Sequence, residues 1–202
     1  MIRRQDQRPS GFSLIEAMVT LAIAVIVMGI GVPALGGWMR DAEIRATAEA
    51  LRAGLQLARL EAVQRNAVVR FNLTNKDGLA AWTVGCVRVI AHCPAIIRQS
   101  ASGDTGTRIG VVTPALLAAT IPASTASNLS MALAAGSGLP AGVSFDSAGR
   151  VPLNNLASDL VRIDITHRSG ASGQRLVVRV GGAGLVNLCN PTALASRLEA
   201  CL

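Results

Sequence analysis

The segment Gly11-Phe12-Ser13-Leu14-Ile15-Glu16 stands between a basic amino terminus and a run of 23 uncharged, mostly apolar residues from Ala17 to Met39. At about 1.5 Å per residue, a helix over that run is roughly 34 Å long, which is enough to cross the hydrocarbon core of a bilayer. The alternative is a secretory signal peptide that is discarded, but the apolar core of such a peptide is usually only about 7–15 residues. The run therefore predicts a transmembrane helix.

The charges before this run predict its orientation. Arg3, Arg4 and Arg8 precede it within a few residues, and short basic segments stay in the cytoplasm. Most of the 202-residue chain is therefore expected to be exported, into a compartment that permits disulfides.

All four cysteines lie in the part expected to be exported: Cys86, Cys93, Cys189 and Cys201. Four cysteines allow three pairings, and the residues alone do not select one, although the short separations favour Cys86 with Cys93 and Cys189 with Cys201. A zinc site is the alternative. Neither short pair has the two-to-four-residue gap of a zinc knuckle, and His92 is the only histidine nearby, so we expect no metal and no cofactor.

Glu16 places a carboxylate where the membrane helix has already begun. An ionised carboxylate within a membrane helix costs about 2.5–3.5 kcal/mol on insertion scales, so it usually has a partner or a function. The alternative is an acid tolerated at the membrane interface. The position of Glu16 therefore makes it a candidate functional residue.

The segment from Gly11 to Glu16, with its short basic leader, resembles the prepilin leader of type IV pilins and type II secretion pseudopilins. The resemblance implies that prepilin peptidase cuts between Gly11 and Phe12 and methylates the amine of Phe12. Glu16 lies one helical turn from that amine and is placed to pair with it, which in the family is thought to set the register of a subunit during assembly. Pro33 removes a backbone hydrogen bond, and with the nearby glycines it predicts a kink, as in many pilins.

After Met39 the helical pattern continues with a polar face. Six apolar residues at alternating steps of four and three predict one buried face: Ile44, Ala48, Leu51, Leu55, Ala58 and Ala62. A second, weaker row lies roughly opposite and suits packing in a filament: Ala46, Ala53, Leu57 and Leu60. We predict one helix from Phe12 to about Asn66, transmembrane over 12–39 and amphipathic over 40–66.

The polar positions of this helix also follow a pattern. Arg45, Arg52 and Arg59 recur every seven residues on another face, expected to be solvated or to face other subunits. Oppositely charged pairs at helical spacing are Asp41 with Arg45 and Glu61 with Arg65. The segment 59–66 also resembles the end of this helix in H-type pseudopilins and related minor pilins.

Residues 67–202 are predicted to form a β-rich periplasmic domain. Five runs have strand character: Val68–Leu73, Trp82–Val89, Val143–Phe145, Leu160–Ile165 and Leu176–Val180. Arg162 and Asp164 alternate with apolar neighbours, which predicts an antiparallel sheet with one wet face. Residues 99–142 are predicted to be a long irregular loop, with short helical turns open at 114–120 and 129–135.

The resemblance continues weakly through 82–86, 142–150 and 184–191. It implies an α+β, pilin-like fold in which the long N-terminal helix packs on a small antiparallel sheet. It also implies a non-enzymatic subunit of a type IV pilus or a type II secretion pseudopilus, near the tip and active in initiating assembly. The implied partners are other pilins or pseudopilins, prepilin peptidase, an inner-membrane assembly platform and membrane lipid.

DNA binding is the alternative function, because some minor pilins bind DNA and the formal charge is +7. Loss of residues 1–11 removes three arginines and one aspartate, which leaves about +5. The DNA-binding relatives carry arginines just before the first tail cysteine, where this chain has Leu185 and Asn187. Three other arginines are the remaining candidates for a patch: Arg168, Arg175 and Arg179.

An anchored enzyme is the third possibility. The chain has only two histidines, His92 and His167, and no nucleophile elbow, metal-binding helix motif or phosphate loop. Asp159 and Asp164 lie near His167 in sequence, but a solvent-facing strand histidine is the simpler interpretation. We expect the protein not to be an enzyme.

Overall fold

The computed structural model describes residues 13–75, 77–100, 106–114, 129, 131–170, 174–193 and 200–201. The chain divides into two compact units, residues 1–39 and residues 40–202. One helix, α1 (Leu14–Arg65), contributes to both units. The strands found in the described part of the chain belong to the second unit.

The carboxyl end of α1 is closed by the two backbone hydrogen bonds of a Schellman motif. Asn66 adopts a left-handed conformation with φ of 48°, which asparagine tolerates better than most residues. The amide of Ala67 donates to the carbonyl of Ala62 at 3.2 Å, and the amide of Asn66 donates to that of Val63 at 3.3 Å. The predicted helix end is therefore confirmed to within one residue.

The second half of α1 buries the face that its periodicity predicts. All six residues of the first apolar row, from Ile44 to Ala62, are 0% exposed. Gly54 lies on the same side, where an added Cβ would come within 2.8 Å of Phe71 and 3.0 Å of Trp82. The helix therefore packs closely on the strands that carry these two aromatic residues.

Within the described residues, eight strands form two antiparallel sheets of four. The first sheet has the order β3-β2-β1-β5, formed by β1 (Val69–Leu73), β2 (Trp82–Cys86), β3 (Arg98–Ser100) and β5 (Ala141–Phe145). The second has the order β4-β6-β7-β8, formed by β4 (Thr107–Val112), β6 (Arg162–His167), β7 (Leu176–Val180) and β8 (Val186–Cys189). A short 3₁₀ helix spans Leu153–Asn155.

Residues 160 and 161 link the two sheets through their backbone amides. Leu160 donates to the carbonyl of Gly142 in β5 at 2.9 Å, and Val161 donates to that of Val112 in β4 at 3.0 Å. Alternate residues of β1, such as Phe71, face one side and are fully buried in the same core as Ile163 of β6. The predicted α+β class, a long helix with antiparallel sheets, is confirmed.

The segment 99–142 is less irregular than predicted. It contains the end of β3 and the whole of β4, whose residues Ile109 and Val111 are fully buried. Residues 131–135 have no helical conformation, so the helical turn expected at 129–135 is wrong over that part. The turn expected at 114–120 falls mostly on residues 115–120, outside the described residues.

The predicted wet face of β6 is also wrong. Arg162 and Asp164 are buried, at 4% and 0% exposure. They satisfy each other, because the Arg162 Nε donates to Asp164 Oδ1 at 2.6 Å and its Nη2 donates to Oδ2 at 2.8 Å. Charge that is paired and hydrogen-bonded in this way can be buried, so alternation of charged residues does not mark solvent here.

The membrane span predicted over 12–39 is not found among the described residues, where no helix has a stretch long and apolar enough to cross a membrane. The transmembrane segment therefore stays a prediction. Residues 1–12, which include the predicted leader, lie outside the described residues.

Candidate assembly site

The amino terminus of α1 is capped by its own sequence. The Ser13 Oγ accepts the backbone N–H of Glu16 at 3.2 Å, which satisfies one of the amides that a helix leaves free at its start. A serine at the cap with a glutamate three residues on is the capping-box pattern, and a negative charge in the first turn is favoured by the helix dipole. The local sequence thus holds Glu16 in the first turn of the helix.

The carboxylate of Glu16 is exposed and has no side-chain partner among the described residues. Gly11 and Phe12 lie outside those residues, so cleavage between them, methylation of Phe12 and pairing of its amine with Glu16 stay predictions. The described geometry leaves this carboxylate available to an amine, which is the property that the prediction requires.

The rest of α1 in the first unit exposes large apolar side chains. Their exposed fractions run from 52% at Val19 to 79% at Leu14. The four successive residues from Val25 to Met28 are all 62–66% exposed, so the exposure is not confined to one side. A helix that is apolar all round requires apolar surroundings, supplied by lipid or by other helices.

Pro33 lies within the helical span of α1. Its side chain is outside the described residues, so the predicted kink remains a prediction.

In the second unit, the outer face of α1 carries the second apolar row. Leu60 is 57% exposed and Ala46 and Ala53 are exposed, while Leu57 is half-buried. Leu60 and Val63 line a shallow depression of about 480 Å³ with three polar residues of the same helix. The apolar row predicted opposite the core face is therefore present at the surface.

The polar pattern of α1 is confirmed in part. Arg65 Nε lies 2.6 Å from Glu61 Oε2, as predicted. Arg59 does not simply face solvent, because its Nε donates to the carbonyl of Gly149 at 2.9 Å. Asp41, expected to pair with Arg45, instead accepts the amide of Gln174 at 3.2 Å.

The four cysteines form two disulfides with the pairing that their separations favour. Cys86 is bonded to Cys93 and Cys189 to Cys201. The first closes a loop directly after β2, and the second ties the end of β8 to the carboxyl terminus.

The arginine patch considered for DNA does not form. Arg175 is 8% exposed, and its Nη1 donates to Asp164 Oδ2 and to the carbonyl of Met131, both at 2.8 Å. Its Nη2 donates to the carbonyl of Leu129. Only Arg168 and Arg179 of the three are exposed, so no three-arginine surface is available to a phosphate backbone.

The histidine and aspartates considered for catalysis are not brought together. His167 Nε2 lies 3.7 Å from Glu43 Oε2, and its Nδ1 is 2.7 Å from Ser169 Oγ. Asp159 is bound by Arg70 at 2.7 Å, and Asp164 is held by Arg162 and Arg175. His92 is exposed, and its carbonyl accepts a hydrogen bond from Arg65. Asp159 and Asp164 therefore each have a structural partner other than His167.

The chain thus combines a helix capped by Ser13, exposed apolar side chains in the first unit and a helix packed on a sheet in the second unit. The profile of the family described as type II transport protein GspH matches residues 47–184. The chain belongs to the GspH family. The prokaryotic N-terminal methylation motif also matches, over residues 7–32, which include Gly11, Phe12 and Glu16.

Solved structures similar to this GspH-family chain include a minor pilin and a minor pseudopilin. The type IV minor pilin FimU of Pseudomonas aeruginosa PAO1 is 18% identical, with 77% of this chain and 98% of that chain covered and a TM-score of 0.48. The minor pseudopilin EpsH of the type 2 secretion system of Vibrio cholerae is 12% identical, with 75% and 99% covered and a TM-score of 0.43. No curated protein matches the chain in sequence.

The buried ionic cluster of this GspH-family chain was not predicted from the sequence. Asp164 accepts hydrogen bonds from Arg162, Arg175 and the amide of Leu133, the last at 3.1 Å. Together with the bonds from both arginines to the carbonyl of Met131, these hold residues 131–133 against β6 and against Arg175, which precedes β7. The alternation of Arg162 and Asp164 along β6 was the available signal, but their further partners, Arg175 and the carbonyl of Met131, lie outside that strand.

Proposed function

We propose that this chain is a minor pilin or pseudopilin subunit, cut by prepilin peptidase between Gly11 and Phe12 and methylated at Phe12. It would be anchored in the inner membrane by one pass, with its amino terminus in the cytoplasm and its carboxyl-terminal domain in the periplasm. From there it would be built into a type IV pilus or a type II secretion pseudopilus, near the tip. The observation that carries the proposal is the methylation motif over residues 7–32, whose part from Leu14 onward is an apolar helix with exposed side chains through Met28.

The physical case rests on what the exposed helix requires. Large side chains such as Leu14, Leu21 and Ile26 are 62–79% exposed, and each such side chain gains roughly 1.5–3 kcal/mol when it is fully buried. Lipid supplies that burial before assembly, and the helices of other pilins supply it afterwards. An assembly platform, neighbouring pilins and lipid are therefore the partners that the proposal needs.

Glu16 would fix the axial register between neighbouring subunits, which apolar packing alone does not specify. A new amine on Phe12 and the carboxylate of Glu16 are one helical turn apart, and in a low dielectric their attraction is several times that in water. The amine of an incoming subunit that meets the carboxylate of its neighbour would fix one axial register. Glu16 is exposed and so is accessible to a neighbour.

The first test is the intact mass and N-terminal sequence of the protein purified from membranes that contain its native prepilin peptidase. We expect the chain to begin at N-methylated Phe12. Gly11→Leu should leave the leader in place, because the cut follows the glycine. A wild-type chain that keeps its leader, or that is cut beyond Met39, would overturn the filament proposal.

The second test separates processing from assembly. Glu16→Ala should be cut and methylated normally but should enter filaments at a level lower by about tenfold, since loss of a desolvated charge pair costs more than about 1.4 kcal/mol. Ser13→Ala is the matched control, because it removes the cap of the same turn but leaves the carboxylate. Equal incorporation of Glu16→Ala and wild type, measured in sheared filament fractions, would sink the role given to Glu16.

DNA binding is not proposed, because Arg175 is buried against Asp164 and the remaining exposed pair, Arg168 and Arg179, is a small basis for phosphate contacts.

A further inference from the structure

A groove in the second unit runs beside the loop closed by the first disulfide. It has a volume of about 540 Å³. One wall is the disulfide loop with Val87, Arg88 and Ile90, and the other wall contains Pro152, Asn154 and Asn155. Val68 and Arg70 lie between these walls.

The loop wall is held rigidly in place. The Cys86–Cys93 bond closes it, and the backbones of Ile90 and Cys93 exchange hydrogen bonds of 3.1 and 2.9 Å. The amide of Val87 donates to the carbonyl of Val68 at 3.0 Å, and Arg65 donates to the carbonyl of His92. A surface fixed by this many bonds loses little entropy when a partner binds.

This rigid wall presents apolar side chains to solvent. Val87 is 59% exposed, Ile90 40% and Val68 38%. Val89 on the same loop is 62% exposed. The loop cannot fold these side chains inward while the disulfide and the backbone bonds hold it.

The groove is positively charged. Among the described residues, its lining contains two arginines, Arg70 and Arg88, and no acid. The charge of Arg70 is already neutralised, because its Nη1 lies 2.7 Å from Asp159 Oδ1. Arg88 is exposed, and no described residue pairs with its guanidinium.

We propose that this groove binds an acidic, apolar segment of a different protein, with a carboxylate over Arg88 and apolar side chains against Val68, Val87 and Ile90. A second copy of this chain fits less well, since the chain without its leader still has a formal charge of about +5 and its copies repel each other. Nucleic acid also fits less well, because the groove offers one uncompensated arginine and no aromatic side chain on which a base could stack. The proposal gives the chemistry of one partner in the assembly function proposed above. It rests on that function only in assuming that this chain and its partner meet during assembly.

The test places a photo-crosslinking amino acid at Asn154 in the full chain, expressed in its own bacterium, and maps the cross-linked product by mass spectrometry. We expect a protein segment that contains Asp or Glu among apolar residues. Arg88→Glu should lower the yield roughly tenfold or more, because it places like charges together. Arg168→Glu, the same charge change at an exposed residue outside the groove, should leave the yield within about twofold.

The decisive step is a charge exchange. Changing the mapped acid of the partner to lysine should restore the yield in the Arg88→Glu background. A cross-link to lipid, to nucleic acid or to a second copy would overturn the proposal, as would the absence of any cross-link or equal losses from both arginine variants. The amino terminus of each variant is sequenced in parallel, because failure of processing contradicts the assembly function, whereas failure at the groove with normal processing contradicts the groove alone.

Discussion

Asp164 is the residue on which the local structure of the second sheet depends most. It is 0% exposed and lies between the guanidinium groups of Arg162 and Arg175. Asp164→Ala would leave two buried cations without an anion, and removal of one partner from a buried ion pair typically costs about 3–5 kcal/mol. We expect a loss of that size in the free energy of unfolding, measured by equilibrium urea titration of the detergent-solubilised chain.

The control for Asp164 is an acid in an exposed pair. Glu49 Oε2 lies 3.9 Å from Arg52 Nη1, and the two side chains are 55% and 40% exposed. Glu49→Ala should change the free energy of unfolding by less than about 1 kcal/mol, because solvent screens such pairs. Similar losses for the two variants would show that burial of Asp164 does not carry the effect.

The same residue shows where interpretation from sequence fails. Arg162 and Asp164 alternate with apolar residues, and this pattern in a single strand predicts that both side chains face solvent. The structure buries them because Arg175, which immediately precedes β7, and the carbonyl of Met131 supply partners across the fold. No local pattern contains that information.

At the scale of the element, α1 and the first sheet meet at a glycine. A Cβ at Gly54 would lie 2.8 Å from the ring of Phe71, which itself packs on Trp82 with ring centroids 5.6 Å apart. Gly54→Leu should therefore lower the free energy of unfolding by up to about 2 kcal/mol, since overpacking typically costs about 1–3 kcal/mol and the gain in helix propensity offsets about 1 kcal/mol. Urea titration measures the difference.

Ala53 provides the matched control, because it precedes Gly54 in the same helix but is exposed. Ala53→Leu should change the free energy of unfolding by no more than about 0.5 kcal/mol. If Gly54→Leu were as stable as Ala53→Leu, the helix and sheet would be farther apart than the structure has them.

Elements with a strong local period were predictable, and elements defined by distant partners were not. The buried row of α1 repeats every three to four residues, and Leu176–Val180 is apolar at every position but Arg179, so both were predicted correctly. The strand β4 was missed because Arg108 and Gly110 interrupt its apolar residues within a segment rich in small polar residues. Its partner β6 lies about 55 residues later, where Ile165 faces Ile109, and a single sequence does not report that pairing.

At the scale of the whole molecule, the buried core lies in the second unit. Every buried hydrophobic residue among the described ones lies between Ile44 and Cys189. The assembly features fall on the other side of this division, because the methylation motif and the exposed apolar residues around Glu16 precede residue 40. The arrangement into two sheets was not predicted, since strand order depends on contacts between segments far apart in the chain.

This division predicts that residues 40–202 fold without residues 1–39. The fragment keeps the fully buried row of α1 from Ile44 onward, both sheets and both disulfides, so its unfolding should be cooperative, with a midpoint within a few degrees of that of the full chain. It also lacks the large side chains that are 52–79% exposed in the first unit, and should therefore stay monomeric without detergent, whereas the full chain should associate. Thermal unfolding by circular dichroism and light scattering measure the two properties. A fragment that unfolds without a cooperative transition would show that the first unit stabilises the second, and one that associates as strongly as the full chain would place the association surface in the second unit.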